Sequence, residues 1–392
     1  MSSEVPEGWL VKPLGEIADL IMGQSPPSSA VTDGGEGLPF IQGNAEFGAR
    51  HPAPRFVVST TPKVVKKGDI LISVRAPVGE VNIAEAPLCI GRGVAGIRAK
   101  DCDPDFLFYA VGSLSPTFAR LSQGSIFDAI NGKELRSIEV LLPPLDEQRR
   151  IAEVLRSVDE AIKKAELVAS GAKSARMALL ADLFHRADWE PQRELPSGWQ
   201  TPLLDAVAKR GSGHTPNKKF STYWDGDVKW ISLQDTKRLD RVYIADTAAT
   251  ITSEGMANSS AVLHPANTVV VSRDATVGRS AIMMSDMAVS QHFISYTCGT
   301  ALAPLYLYYW LQRMKPVFER IGAGSTIKTI GLPFFKGLKI AMPDRAEQDR
   351  VANLLWHTDN QVFASEATIT RLRLVKAAVS SDLLSGRVRV PA

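Results

Sequence analysis

One phrase of this sequence occurs twice, 200 residues apart. The stretch LLPPLDEQRRIAEVL at residues 141–155 returns as IAMPDRAEQDRVANLL at residues 340–355. Earlier segments recur in the same order: VPEGW and LPSGW, PFIQGN and KWISLQ, GDILISVRAPVGE and ANTVVVSRDATVGR. Self-similarity at a fixed period is the signature of a duplicated structural unit. A unit of about 190–200 residues is therefore present twice, and the chain must fold as two copies of one architecture.

Each copy begins with a globular part and ends with a helical part. The globular part is rich in short β-branched runs separated by Gly, Pro and Asp turns, and one helix is predicted in each, at residues 105–113 and 304–313. The helical part follows a proline and opens with acidic residues, which suit a helix N-terminus. The predicted order is domain, helix, domain, helix, with boundaries at 1–144, 145–188, 189–342 and 343–392.

Both helical parts carry a seven-residue repeat of apolar positions. Alternating steps of four and three residues from Ile151 meet nine apolar residues in ten positions, and the same steps from Val351 meet seven in ten. This spacing is typical of a coiled coil, and about 40 residues at 1.5 Å each give a rod of about 60 Å. The seam residues that we expect to make helix or partner contacts are Ile151, Leu155, Val158, Ile162, Leu183, Val351, Leu355, Val362, Ile369, Leu372 and Leu383.

The helix pattern leaves two arrangements open. The helices either pair with each other or pack separately, each as an amphipathic helix on its own domain. Two basic residues, Arg176 and Lys376, occupy equivalent positions in the otherwise apolar seams. An isolated basic residue at such a position either fixes the register of the helix pair or reaches outward to water.

The lengths of the connecting segments predict how the chain closes. Sixteen residues lead from Leu183 to Trp199, whereas nine residues follow Leu383 and Trp9 is the ninth residue of the chain. Joining the two ends would therefore give a connection of similar length. We expect the termini to lie close together and the two helices to run antiparallel in a pseudo-twofold circular arrangement.

Composition argues against several classes of protein. No apolar run reaches the length of a membrane span, and the first residues lack the basic and apolar regions of a signal peptide. The three cysteines, Cys89, Cys102 and Cys298, have spacings that offer neither a zinc site nor a disulfide framework. The net charge of +3 is a weak indication of an anionic partner. We expect a soluble, cytoplasmic protein with no metal site.

Motifs of the common catalytic sites are missing from the sequence. We find no GxxxxGK[ST] phosphate loop, no [NDS]PP[YF] methyltransferase motif, no HExxH and no GxSxG. This absence is weak evidence by itself and agrees with a protein that has no catalysis of its own. Two other classes stay open: a nuclease or methyltransferase with an unrecognised site, and a coiled-coil adaptor that binds only proteins.

The repeated motifs resemble one family in particular. The pattern P-x-x-x-E-Q-x-R-I/V-A-x-x-L at 143–155 and 343–355, with P-x-G-W at both domain starts, is similar to the specificity subunit of type I restriction–modification enzymes. The resemblance covers essentially the whole chain. It implies an α+β fold in which two α/β target recognition domains are joined by two long antiparallel coiled-coil helices. A specificity-like subunit of another type of restriction–modification system remains an alternative.

The same resemblance implies a function and a set of partners. Each domain would read one half of a bipartite sequence in double-stranded DNA, and the helices would space the halves and dock two methyltransferase subunits. Nuclease–translocase subunits would join through that complex. No cofactor is expected in this subunit, because S-adenosylmethionine, ATP and Mg belong to the partner subunits.

Basic loops are the first candidates for DNA contacts. The stretch KRGSGHTPNKK at residues 209–219 has four basic side chains, no acid and flexible glycines, which suits phosphate binding. A solvated basic loop is the alternative. The basic candidates outside the strand ends are Lys63, Lys66, Lys67, Lys209, Arg210, Lys218, Lys219, Lys237, Arg238 and Arg279.

Polar residues at matched strand ends are the second set of candidates. Arg75 and Arg273 follow apolar strands and would bind guanine or phosphate, or brace a loop. Arg92 and His292 occupy corresponding places but differ in identity, as base-reading residues do. An amide at a strand end would bind adenine or cap the strand. The candidates are Asn44, Arg75, Arg92, Gln234, Arg273 and His292.

Overall fold

The computed structural model describes residues 5–60, 63–122, 129–185, 194–323 and 329–390. The chain divides into two units, the first comprising Met1–Glu166 with Ala367–Ala392 and the second Leu167–Glu366. Each unit holds one globular domain, the beginning of the helix that follows this domain and the end of the other helix. Both domains mix helix and sheet, as the sequence predicted.

Short strands bounded by Gly, Pro and Asp turns build the first domain. Its strands are β1 (Leu10–Pro13), β2 (Ala18–Met22), β3 (Val31–Asp33), β4 (Leu38–Ile41), β5 (Phe56–Val58), β6 (Val64–Val65), β7 (Ile70–Ser73), β8 (Val81–Ile83), β9 (Leu88–Ile90), β10 (Val94–Ala99) and β11 (Glu139–Leu142). Its helices are α1 (Leu14–Ile17), α2 (Pro104–Ser113), α3 (Ser115–Ser122), α4 (Gly132–Ser137) and the start of α5 (Leu145–Leu183).

Two larger sheets position the loops of the first domain. One sheet has the strand order β2-β10-β7-β8 and the other β3-β5-β4-β9-β6, in which β4 and β9 are parallel. The predicted helix at 105–113 is α2, whose Phe106 and Leu107 are fully buried. The first turns of α5 add Ile151 and Leu155 to the same core.

The second domain repeats this plan with fewer strands in the part of the chain that the structure describes. Its strands are β12 (Ala208–Ser212), β13 (Trp224–Ile231), β14 (Tyr243–Ile244), β15 (Ala249–Ile251), β16 (Leu263–His264), β17 (Val269–Ser272), β18 (Ser280–Met283), β19 (Met287–Val289) and β20 (Phe293–Cys298). Its helices are α6 (Leu204–Val207), α7 (Ser253–Ala257), α8 (Pro304–Gly322), α9 (Leu332–Lys336) and the start of α10 (Arg345–Leu384).

Two sheets again carry the loops of the second domain. Their strand orders are β12-β20-β17-β18-β14 and β15-β13-β19-β16. The predicted helix at 304–313 is too short, because α8 continues past Pro316 to Gly322. Its later residues Met314 and Phe318 are fully buried, so packing against the domain outweighs the cost of the proline inside the helix.

The apolar seams predicted for the two long helices are the least exposed stripes of α5 and α10. Among the predicted seam residues, Ile151, Leu155, Val351, Leu355, Val362 and Leu383 are buried, and Val158, Ile162, Leu183, Ile369 and Leu372 are half-buried. The first turns pack on the domain cores, and further along the helices ion pairs join α5 to α10 within each unit. Each of the two arrangements left open by the sequence therefore describes part of each helix.

Within the first unit, α5 and α10 run antiparallel. Asp159 on α5 pairs with Lys376 on α10 at 2.5 Å, and Glu166 pairs with Arg373 at 2.7 Å. Residue numbers rise along one helix as they fall along the other. The basic seam residue of this unit is therefore held by an ion pair across the two helices.

Within the second unit, the same arrangement recurs with the two helices exchanged. Lys173 on α5 pairs with Glu366 on α10 at 2.8 Å, and Arg176 pairs with the buried Asp359. Both basic seam residues thus have an acidic partner on the opposite helix, an arrangement that specifies register.

Residues near the two chain ends meet within the first unit, as the repeat predicted. Trp9 Nε1 donates to Glu147 Oε2 at 3.1 Å, and Arg389 donates to both oxygens of the Glu147 carboxylate at 2.7 and 2.8 Å. In the second unit the equivalent Trp199 ring lies 5.0 Å from the His185 ring, in the segment that follows α5. In each unit, the segment that follows a long helix therefore contacts the tryptophan at the start of the domain.

Glu147 makes the stability of the first unit depend on pH. The Arg389 guanidinium is the main cause that holds the pKa of the Glu147 carboxyl below its ordinary value; burial opposes this and the Trp9 hydrogen bond supports it. A lowered pKa favours the folded state above the ordinary carboxyl pKa of about 4.3, and this contribution is lost as the pH falls through the folded value. We expect Glu147→Gln to cost about 1–3 kcal/mol in urea unfolding at pH 7, and the cost to shrink toward pH 3.

The repeat supplies a control for this prediction. Glu347 occupies the equivalent position, but its side chain is 35% exposed and pairs with Arg350 on its own helix. Glu347→Gln should therefore change the unfolding free energy much less than Glu147→Gln does. Equal effects of the two variants at pH 7 would contradict the role assigned to the Arg389 contact.

Candidate nucleic-acid interface

A shared hydrogen-bonded turn makes the two domains comparable residue by residue. In the first domain Ser73 Oγ donates to the Pro77 carbonyl and accepts from the Glu80 N–H. In the second domain Ser272 Oγ makes the same two contacts, with Thr276 and Arg279. Ser73 therefore corresponds to Ser272, and both serines make the same two hydrogen bonds to the turn that follows them. The backbone of this turn differs between the domains, since the Ala76–Pro77 peptide bond is cis and Ala275 has a φ of +60°.

This correspondence corrects the matching of the two arginines at the strand ends. Counting from the shared serines, Arg75 corresponds to Asp274, and Arg273 corresponds to Val74. Arg75 is exposed, whereas Arg273 is only 18% exposed and its Nε donates to the Ile330 carbonyl at 3.0 Å. A one-residue shift along extended chain turns a side chain to the opposite face, so the two arginines have different surroundings.

The matching of Arg92 with His292 shifts in the same way. The carbonyl of Gly93 accepts from the Val74 N–H, and the carbonyl of His292 accepts from the Arg273 N–H. His292 therefore corresponds to Gly93, and the counterpart of Arg92 is Gln291. The sequence comparison missed Gln291, and aligning the A-x-V-G signatures instead of the arginines would have given the correct register.

Three candidates of the first domain line one surface cleft of about 200 Å³. They are Asn44, Arg75 and Arg92, which lie on three separate loops. Asn44 Nδ2 also donates to Glu80 Oε2 at 3.2 Å. Sequence reasoning missed the other residues of this cleft, which are Gln42, Gly43, Ala76 and Gly93.

The lysines Lys63, Lys66 and Lys67 do not line this cleft. All three are exposed, close to the short strand β6, and none has an ion-pair partner among the residues that the structure describes. They remain candidates for phosphate contacts outside the cleft.

In the second domain a hydrogen-bonded chain occupies the place of the cleft. Thr215 Oγ1 donates to Gln291 Oε1 at 2.6 Å, and His292 Nδ1 lies 2.8 Å from Asp274 Oδ2. Gln291 Nε2 and His292 Nε2, 3.4 Å apart, connect the two pairs. Gln234 is exposed on the turn Leu233–Lys237. This surface is rich in amide and imidazole groups.

The basic candidates of the second domain divide by their contacts. Lys209, Lys218, Lys219 and Lys237 are exposed. The Asp205 carboxylate accepts from Arg210 at 3.0 Å and raises the pKa of this arginine. Arg238 lies 3.7 Å from Asp235, and Arg279 Nη1 donates to the Thr236 carbonyl at 2.8 Å. The three arginines are thus held by their own domain, and the lysines are available to a ligand.

No cluster of His, Cys, Asp and Glu suited to a metal ion occurs among the described residues. Within the same residues, no helix is both long and apolar enough to cross a membrane. The described surface therefore offers polar side chains for recognition and no metal centre.

Comparison with known proteins gives a consistent result. The family described as Type I restriction modification DNA specificity domain matches residues 6–169 and again residues 196–372. The MjaIX type I restriction enzyme specificity subunit of Methanocaldococcus jannaschii is 22% identical over 99% of this chain and 95% of its own length. A second protein of that organism, provisionally named the MjaX specificity subunit, is 49% identical, but the match spans only 41% of this chain and 39% of the relative.

Solved structures agree on the fold. The specificity subunit of a type I restriction–modification system from M. genitalium superimposes with a TM-score of 0.64 at 14% identity, over 98% of both chains. A chain from a study of type I complex assembly superimposes with a TM-score of 0.62 at 19% identity, over 98% of this chain and 100% of that one.

Proposed function

Because this chain belongs to the family of type I restriction–modification DNA specificity proteins, we propose that it is the DNA-recognition subunit of such an enzyme in the cytoplasm. Each domain reads one half of a bipartite target in double-stranded DNA. The chain has no catalysis and no cofactor of its own. Two methyltransferase subunits dock on it, and nuclease–translocase subunits join the complex. These partners supply S-adenosylmethionine, ATP and Mg.

One observation in particular supports the proposal that the two domains recognise different base sequences. The two domains share the serine hydrogen bonds after β7 and β17, but the residues at matched positions beside them differ. The first domain has the exposed Arg75 and Arg92, and the second has the half-buried Asp274 and the exposed Gln291. A common scaffold with different side chains at its surface suits recognition of two different base sequences.

The test is to co-express this chain with a cognate type I methyltransferase subunit in a host without methylation and to map modified bases across the genome. The expected result is one bipartite motif with a fixed unspecified gap. If an assembled complex leaves the DNA unmodified, the adaptor that binds only proteins is favoured. If the purified chain alone cuts or methylates DNA, the proposal of a non-catalytic subunit is wrong.

The spacing role gives a second prediction. Inserting one heptad into both α5 and α10 preserves the apolar seam and adds about 10 Å to the helices. This length corresponds to roughly three base pairs at 3.4 Å each, so the gap in the methylated motif should grow by about three. The two half-sites should stay the same, and a change in the half-sites would contradict the proposal.

A further inference from the structure

Arginines in the first domain are almost all held by neighbouring groups. Five of the seven donate side-chain hydrogen bonds within the domain. Arg75 and Arg92 are the exceptions, since neither guanidinium has a hydrogen-bond or ion-pair partner among the described residues. The paired arginines are Arg50, Arg55, Arg98, Arg120 and Arg136.

These two unpaired arginines lie in the same place. Both line the cleft that Gln42 and Asn44 share with two glycines. A Cβ atom at Gly93 would come 2.6 Å from the Gln42 carbonyl, so this loop passes close to its neighbour and is held there. The two guanidinium groups are therefore carried by anchored loops and exposed to solvent.

We propose that Arg75 and Arg92 bind guanine bases in the major groove, so that the half-site read by the first domain contains G·C pairs that these arginines specify. This inference rests on the proposed function and adds the identity of bases in one half-site. A guanidinium donates two parallel hydrogen bonds to guanine O6 and N7, a pattern that no other base pair presents in the major groove.

The second domain argues against phosphate as the target of these arginines. The DNA backbone is chemically the same at both half-sites, so a phosphate clamp on a duplicated scaffold should recur in both domains. At the equivalent positions the second domain instead has the half-buried Asp274, whose carboxylate contacts His292, and the neutral Gln291, so neither position carries a cation for a phosphate. Different side chains at matched positions of the two domains are suited to contacts with different bases.

The experiment uses the complex of the full chain with its methyltransferase subunit and compares methylated motifs genome-wide. We expect Arg92→Ala and Arg75→Ala each to relax a guanine position, both in the same half-site, with preference for guanine falling roughly 5- to 150-fold. Arg92→Lys keeps the charge but loses the planar fork, so it should also relax its position. Arg55→Ala is the matched control, because Arg55 is 70% exposed and pairs with Asp33. It should leave the motif unchanged.

Each other outcome has a definite meaning. The inference is wrong if the wild-type motif lacks G·C pairs, if both alanine variants keep the wild-type motif, or if the relaxed positions fall in different half-sites. A phosphate contact would give a different pattern: the alanine variants would weaken methylation uniformly and reduce its salt dependence, and Arg92→Lys would restore it. That result would assign these arginines to phosphate instead. Absence of any motif from the assembled wild-type complex would count against the proposed function itself.

Discussion

Asp359→Ala is expected to destabilise the second unit by about 3 kcal/mol, because it removes a buried carboxylate and leaves the half-buried guanidinium of Arg176 without a partner. Asp359 is 2% exposed, pairs with Arg176 and accepts a hydrogen bond from Tyr309 Oη at 2.9 Å. Burial, followed by the Asp359 charge, raises the pKa of Tyr309 above its ordinary value, so the hydroxyl remains a donor. Urea unfolding of the full chain, followed by tryptophan fluorescence, to which the buried Trp310 of this domain contributes, measures the loss.

A combined variant tests the cause of this loss. Arg176→Met, Asp359→Leu and Tyr309→Phe together remove all three polar partners and leave apolar groups of similar volume. Such replacements are often neutral or stabilising, so the triple variant should recover most of the stability that Asp359→Ala loses. A triple variant as unstable as the single one would show that the loss comes from packing and not from an unpaired charge.

The first unit offers a matched and milder version of the same cluster. Asp159 accepts from Tyr109 Oη at 2.8 Å and pairs with Lys376 at 2.5 Å, but its side chain is 24% exposed. Asp159→Ala should therefore cost less than Asp359→Ala, since water can solvate the remaining lysine. Each cluster joins a recognition domain to both long helices.

Gly213→Ala is the second change with a large expected effect. A Cβ atom at this position would lie 1.6 Å from the Val289 carbonyl oxygen, and this obstacle is backbone. The end of β12 therefore has to move away from β19, at a cost of about 3 kcal/mol or more. Gly23 follows β2 in the same way, with its Cβ position 2.1 Å from the Gly91 oxygen. The close approach is thus part of the shared scaffold.

Gly171→Ala in α5 is the control for this prediction. Nothing lies within 4 Å of the position that its Cβ would occupy, and alanine forms helix better than glycine. This variant should stabilise the chain by about 0.5–1 kcal/mol, whereas Gly213→Ala should lower the urea midpoint strongly and increase proteolysis of the second domain. A Gly213→Ala protein as stable as wild type would mean that the two strands separate at little cost.

Features that depend on periodicity and repetition could be predicted from the order of the residues alone. Apolar residues that recur every 3.5 residues on average predicted the seams of α5 and α10, because helical contacts recur at fixed intervals along one segment. The repeat at 200 residues predicted two related domains and the contact of the segment around Arg389 with the start of the chain. The helix predicted at residues 105–113 was also confirmed, as α2.

The arrangement of the candidate site depends on how the whole domain folds. Arg75 and Arg273 can be aligned with each other in the sequence, but the matching serine hydrogen bonds show that their positions differ by one residue. In an extended chain, a difference of one residue moves a side chain from the solvent-exposed face to the buried face. Asn44, Arg75 and Arg92 come from three loops, and their meeting in one cleft depends on strand pairing between distant segments. Such pairings are set by the packing of the whole domain, so no local pattern in the sequence records them.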